Sequence, residues 1–162
     1  MSEIAHLGPA EMYTPKGEES LAFFVDVMGM EIEAQDGPAT YLRGWGDYQR
    51  WSLKLIASDT SGMGVLGLRA WSPEALERRV AAIEATGLGE GWTDGDLGRG
   101  ASYRFRDPDG HRFELYYECE RYTPPDAAAR ASHDADTILQ PQPIGVVLVH
   151  GALLLAAKDE RW

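Results

Sequence analysis

One cysteine, Cys119, stands in a chain of 162 residues. It has no partner for an internal disulfide and belongs to no thiol cluster for zinc or iron–sulfur chemistry. That usage fits a reducing, cytoplasmic setting. Histidine is scarce too. The four histidines, His6, His111, His133 and His150, are scattered, and no Ser/His/Asp or Cys/His triad can be assembled from them. The longest apolar stretch, Ile144–Ala157, falls short of the roughly 20 residues that span a bilayer. The opening Met1-Ser2-Glu3-Ile4-Ala5-His6 has no basic segment followed by an apolar one, so no signal peptide is expected. Positive charge is also in deficit: Lys and Arg number 15 against 26 Asp and Glu, a net charge of −11. That field repels a phosphate backbone and argues against a nucleic-acid partner. Glycines do cluster at Gly87–Gly91, but they follow a helix instead of opening one, the wrong polarity for a phosphate loop.

What is present suffices for one ordinary domain. The apolar fraction is 44% and the charged fraction 25%, enough for a buried core and a solvated surface. Ser72-Pro73-Glu74 reads as an N-cap, a first-turn proline and a carboxylate at the positive helix end. Leu76, Val80 and Ile83 then recur at helical spacing until Gly87 stops the helix. An earlier helix reads alike: Thr14-Pro15-Lys16 opens it, Leu21, Phe24, Val25 and Met28 form its stripe, and Gly29 ends it. The two stop glycines lie 58 residues apart. Strand signals precede each helix at Ala10–Tyr13 and Val65–Trp71. They follow the first at Met30–Glu33, Thr40–Arg43 and Trp51–Ile56, and the second at Gly91–Thr93, Ser102–Arg106 and Arg112–Tyr117. Turn chemistry separates them at Asp36-Gly37-Pro38, Asp94-Gly95-Asp96 and Asp107-Pro108-Asp109-Gly110.

The order β-α-β-β-β therefore occurs twice, at a common offset, which is the mark of an internal repeat. The expected fold class is α+β: paired βαβββ units, about 4–57 and 63–120, forming one domain over 4–122 with mixed sheets around a cavity. Residues 123–143, rich in Ala, Asp, Gln and Pro, read as a linker, and 144–162 as an apolar tail.

Several segments carry a resemblance. They are Tyr41-Leu42-Arg43-Gly44-Trp45-Gly46-Asp47, Ser72-Pro73-Glu74-Ala75-Leu76-Glu77-Arg78 and Tyr103-Arg104-Phe105-Arg106-Asp107-Pro108-Asp109-Gly110-His111. With the repeat, they resemble the vicinal oxygen chelate superfamily of glyoxalases, bleomycin-resistance proteins and extradiol dioxygenases. Within it, the likeness is to the N-terminal domain of catechol 2,3-dioxygenase-type enzymes. The resemblance implies Fe(II)- and O2-dependent ring cleavage of a catechol-type substrate, in a cytoplasmic homo-oligomer. It also implies that iron sits in the second domain, on two histidines and a glutamate. In this chain the equivalent positions fall at Pro9, near Val65 and at Glu114. Proline and valine offer a metal nothing.

Glu114 lies between Phe113 and Leu115 on a strand, so alternation turns it to the opposite face. A carboxylate there is either a metal ligand or a structural group needing a partner such as an arginine. His150, in Val147-Leu148-Val149-His150, falls where the second domain's first strand would place an iron ligand. His111 is expected to hydrogen-bond within its turn. The leading expectation is a truncated or frame-shifted form, non-native from about Ala131 and inactive alone. Two others stay open: a non-catalytic module binding a small aromatic ligand, and a metal site that Glu114 and His150 share between chains.

Overall fold

The computed structural model describes residues 3–123. The linker and tail expected at 123–143 and 144–162 fall outside these residues, apart from position 123, and so does His150. Within them, β1 (Ile4–Thr14), α1 (Gly17–Ala22), β2 (Glu31–Asp36), β3 (Ala39–Arg43) and β4 (Leu53–Ala57) form the first unit. The second follows as β5 (Gly62–Ala70), α2 (Pro73–Thr86), β6 (Gly89–Thr93), β7 (Ser102–Arg106) and β8 (Arg112–Tyr116).

The repeat is visible in the hydrogen bonding. In each unit the first strand pairs in parallel with the last, β1 with β4 and β5 with β8. The two first strands then pair antiparallel with each other. The result is a single eight-stranded mixed sheet in the order β2-β3-β4-β1-β5-β8-β7-β6. The units thus meet edge to edge, and the seam runs through the two strands that begin them. Among the described residues, β2 and β6 form the two outer edges. Charged Glu31, Glu33 and Asp36 on β2 discourage further pairing there.

Alternation along the strands sorts the side chains between the two faces. On one face the α2 stripe of Leu76, Val80 and Ile83 packs with Ala75 against Leu68, Ala70, Tyr103 and Leu115. On the same face of the first unit, Leu21, Phe24 and Val25 pack against Met30, Leu42 and Leu53. The opposite face carries the neighbours of those residues in sequence: Tyr41 beside Leu42, Lys54 beside Leu53, Glu114 and Tyr116 on either side of Leu115. A third cluster of Ala39, Tyr41 and Trp51, with Ile56 and Leu97 against it, forms there.

The α2 ends follow their sequence signals. The Ser72 hydroxyl accepts a 3.2 Å hydrogen bond from the Ala75 amide. Gly87 closes the helix at φ +76°, a conformation costly for any residue with a Cβ. The first helix departs from expectation. Only Gly17–Ala22 is α-helical, and Phe23–Val27 widens into a π-helical turn, with the Met28 amide donating to the Phe23 carbonyl at 3.0 Å. The wider turn takes up one extra residue. It keeps Leu21, Phe24 and Val25 on the core while Val27 turns out to solvent.

Candidate functional site: a charge network on the open face of the sheet

Among the described residues, the face turned away from the helices holds the one strand position expected to offer a metal a ligand. Glu114, on β8, is 3% exposed. Its register partner on β5 is Gly67, one same-face step from Val65. A Cβ on Gly67 would meet the Pro9 carbonyl at 3.1 Å. Pro9, Val65 and Glu114 are thus brought to neighbouring strands, as their sequence positions suggest. Neither Pro9 nor Val65 carries a donor atom in its side chain.

What Glu114 does have is an arginine. The Arg99 guanidinium, 8% exposed as a residue, donates through Nη1 to Glu114 Oε1 in a short contact. The Ser102 hydroxyl donates to the other carboxylate oxygen at 3.3 Å. Arg99 also lies over two aromatic rings, 4.7 Å from the Trp51 centroid and 5.1 Å from that of Tyr116. An arginine suits this place because its planar, weakly hydrated fork can stack and donate at once.

The segment that delivers Arg99 is held by the first unit. Asp96 accepts from the Tyr41 hydroxyl at 2.7 Å and from Lys54 Nζ at 2.6 Å. Its carboxylate also takes the Leu97 amide at 2.7 Å and stands 3.9 Å from Arg99 Nη2. The Trp51 indole donates to the Leu97 carbonyl at 2.6 Å. Lys54 reaches a second carboxylate, Glu11, at 3.7 Å, and Glu11 in turn accepts from the Val65 amide at 3.3 Å. Glu11, Lys54, Asp96, Arg99 and Glu114 therefore alternate in sign across the seam between the units. Burial raises the cost of the Asp96 charge, but hydrogen bonds from Lys54, Tyr41 and the Leu97 amide hold its pKa below the ordinary value. Burial likewise opposes the charge on Lys54, and its bonds to Asp96 and Tyr41 outweigh that and raise its pKa.

Beside this network lies a neutral one. Tyr116 donates to Gln49 Oε1 at 2.9 Å, and Gln49 Nε2 donates to the Tyr48 hydroxyl at 3.0 Å. Burial pushes the Tyr116 hydroxyl far above its ordinary pKa. His6 meets the Tyr48 ring edge-on and donates from Nδ1 to the Leu7 carbonyl at 2.7 Å. Its Nε2 is buried without a hydrogen-bond partner among the described residues, and burial lowers its pKa. The other ring placed by the structure, His111, behaves as the turn reading expects. Its backbone amide and Nδ1 bind the two oxygens of Asp107 at 2.9 and 2.8 Å. Among the described residues, Asp107, Asp109 and His111 are the one group of three ligand-type side chains drawn close together. They sit on the exposed hairpin turn, away from Glu114.

Sequence reasoning reached Glu114, its face and its need for a partner. It missed Asp96, Arg99, Lys54 and Tyr41 as one assembly. The only signal was the Asp94-Gly95-Asp96 turn, which read as punctuation.

Residues 3–115 match the model of the Glyoxalase/Bleomycin resistance protein/Dioxygenase superfamily, and the chain belongs to that superfamily. Within it the chain resembles extradiol catechol dioxygenases. It is 47% identical over 122 residues to a metapyrocatechase of Geobacillus stearothermophilus, covering 75% of this chain and 37% of that protein. It is 32% identical over 127 residues to a manganese-dependent 2,3-dihydroxybiphenyl 1,2-dioxygenase of Geobacillus genomosp. 3, covering 77% of this chain and 40% of the relative. Among solved structures, homoprotocatechuate 2,3-dioxygenase of Brevibacterium fuscum, in complex with 3,4-dihydroxyphenylacetate, superposes with a TM-score of 0.69 at 25% identity. That match covers 75% of this chain and 39% of the solved one. The chain thus spans about two fifths of the length of these relatives. No helix among the described residues is long and apolar enough to cross a membrane.

The metal of such enzymes, iron or manganese, does not fit the described residues around Glu114. Two of the three ligand positions are Pro9 and Val65, and the carboxylate at the third is already bonded to a buried guanidinium. A lone carboxylate so engaged is a poor site for a transition metal.

Proposed function

We propose that this chain is the supporting, metal-free module of an extradiol catechol dioxygenase and does not cleave the ring by itself. The observation that carries the reading is the pairing of Glu114 with Arg99 at the one ligand position that keeps a carboxylate. The names of the relatives supply the reaction class: oxygen-dependent opening of a catechol-type ring by a metalloenzyme. On this reading the metal and the acid–base groups belong to a further domain, and this module provides a rigid folded partner for it. His150, as a ligand in that further site, and a homo-oligomeric assembly belong to the same proposal.

The reading of the domain as an aromatic-binding module finds less support. Tyr41, Trp51 and Tyr116 of the open face are engaged with Asp96, Leu97 and Gln49. Their rings pack against Arg99, Lys54 and each other.

The test is a ring-cleavage assay. Protein loaded with Fe(II) without oxygen, and shown by circular dichroism to be folded, is given catechol and then oxygen. No yellow product is expected. Turnover that tracks bound iron would overturn the proposal. Sedimentation velocity reads the subunit number in the same preparation.

A further inference from the structure

The misfit between Glu114 and a metal has a specific occupant behind it. Resting on the metal-free reading above, we infer that Arg99 is this domain's built-in cation: its guanidinium supplies, permanently and from the chain itself, the positive charge that Glu114 needs.

The argument is one of charge and space. Glu114 is 3% exposed and Glu11 8%, so neither carboxylate is hydrated well enough to stay charged without a counter-charge. Three carboxylates, Glu11, Asp96 and Glu114, face two cations, Lys54 and Arg99. Lys54 lies 2.6 Å from Asp96 and 3.7 Å from Glu11. Glu114 depends on Arg99 alone among the cations in these pairs. A divalent ion could use Glu114 only by displacing a buried guanidinium that stacks on Trp51 and Tyr116. Holding both would place like charges a few ångströms apart in a site of low dielectric.

The choice of arginine follows from the same geometry. One flat group meets Glu114, approaches Asp96 and covers two rings, which a compact ammonium cannot do. Its Nε–H has no acceptor among the described residues. The site therefore keeps the fork for its charge and its stacking even with one donor unmet. Because Arg99 sits between β6 and β7 while Trp51 precedes β4, the stacking of Arg99 on Trp51 also lays the second unit's loop on the first unit's face. The module then needs no metal to order its open face.

The experiment compares Arg99→Lys with Arg99→Met in the full chain, by urea unfolding and thermal melting, in the wild-type background and with Glu114→Gln. If Glu114 requires a positive charge, the lysine variant melts above the methionine variant by about 5 °C or more, and that advantage disappears with Glu114→Gln. A methionine variant as stable as the lysine variant overturns the inference, since packing alone then satisfies the site. If the methionine variant does not fold while the lysine variant does, the inference stands; if neither folds, Glu114→Gln alone decides, because removing the carboxylate must allow Arg99→Met to fold. Binding of Mn(II) to the wild-type chain is read by electron paramagnetic resonance in parallel. None that depends on Glu114 is expected. Stoichiometric binding lost with Glu114→Gln would overturn both this inference and the metal-free reading, whereas a wrong lysine–methionine order overturns only the inference.

Discussion

Asp96 joins the two halves of the sheet, and its removal should be felt across the seam. The carboxylate accepts from Tyr41, Lys54 and the Leu97 amide, all within 2.7 Å. Hydrogen bonds to a charged group contribute roughly 1.5–3 kcal/mol each. Asp96→Ala removes three of them and leaves Lys54 with Glu11 at 3.7 Å as its remaining carboxylate. The sum is discounted because Asp96 is only partly buried and solvent screens part of its charge. The expected loss is about 3 kcal/mol, a large fraction of the roughly 5–15 kcal/mol that holds a domain of this size. With an m-value of about 2 kcal/mol/M, the urea midpoint should fall by about 1.5 M. Tryptophan fluorescence follows it directly, because Trp51 hydrogen-bonds the residue next to Asp96. Adding Lys54→Met to Asp96→Ala should deepen the loss, since buried Glu11 then loses the cation it is paired with. A midpoint for Asp96→Ala within about 0.3 M of wild type would refute the view that the network holds the units together. The pH dependence has a definite sign. The folded-state pKa of Asp96 is lowered, so its contribution is complete above the unfolded value near 3.8 and is lost as pH falls through the folded one.

Other consequences follow from single residues. His6 has its pKa lowered by burial and His111 has its pKa raised by Asp107, so proton NMR should find the two rings titrating on opposite sides of 6.5. Because unfolding lets His6 take up a proton, stability should decline as pH drops below 6.5, and His6→Asn should flatten that decline in urea titrations. Gly95 has φ +90°, and a Cβ there would lie 2.1 Å from the Gly100 carbonyl oxygen. Gly95→Ala should therefore cost at least about 2 kcal/mol and loosen the loop that carries Arg99. Ser72→Ala removes the α2 cap seen at Ala75 and should cost about 1 kcal/mol by chemical denaturation.

The repeat was legible because its signals are local. Gly29 and Gly87 close helices by backbone conformation, and Ser72-Pro73 opens one by a side-chain bond and a fixed φ. Strand alternation placed Glu114 opposite Leu115 without any knowledge of neighbours. The π-helical turn at Phe23–Val27 was not legible, because apolar spacing around Leu21 and Phe24 fits an unbroken helix equally well. The Arg99–Glu114 pair was half legible: the demand for a counter-charge follows from burial, but the residue meeting it comes from a Gly-rich loop that shows no periodicity. Tyr41 and Asp96 are 55 positions apart, and nothing in either segment announces the other.

A duplicated fold gives each unit the same ladder of positions, and what fills them decides what the domain does. Here the seam strands bring Pro9 and Gly67 so close that a Cβ on Gly67 would meet the Pro9 carbonyl at 3.1 Å, and Val65 beside them is buried. Those positions are committed to close backbone packing, which ligand side chains would disrupt. The carboxylate that remains on β8 would then be an uncompensated charge, and a buried charge of that kind destabilises a fold severely. Arg99 of the same unit answers it, and Lys54 and Trp51 of the first unit hold the loop that carries Arg99, so that neutralising the face and fastening the units go together. On the proposed metal-free reading, stability and metal independence are therefore coupled. On that reading, a substitution of Arg99 that frees Glu114 also takes away the stacking that ties the loop at 94–100 to Trp51.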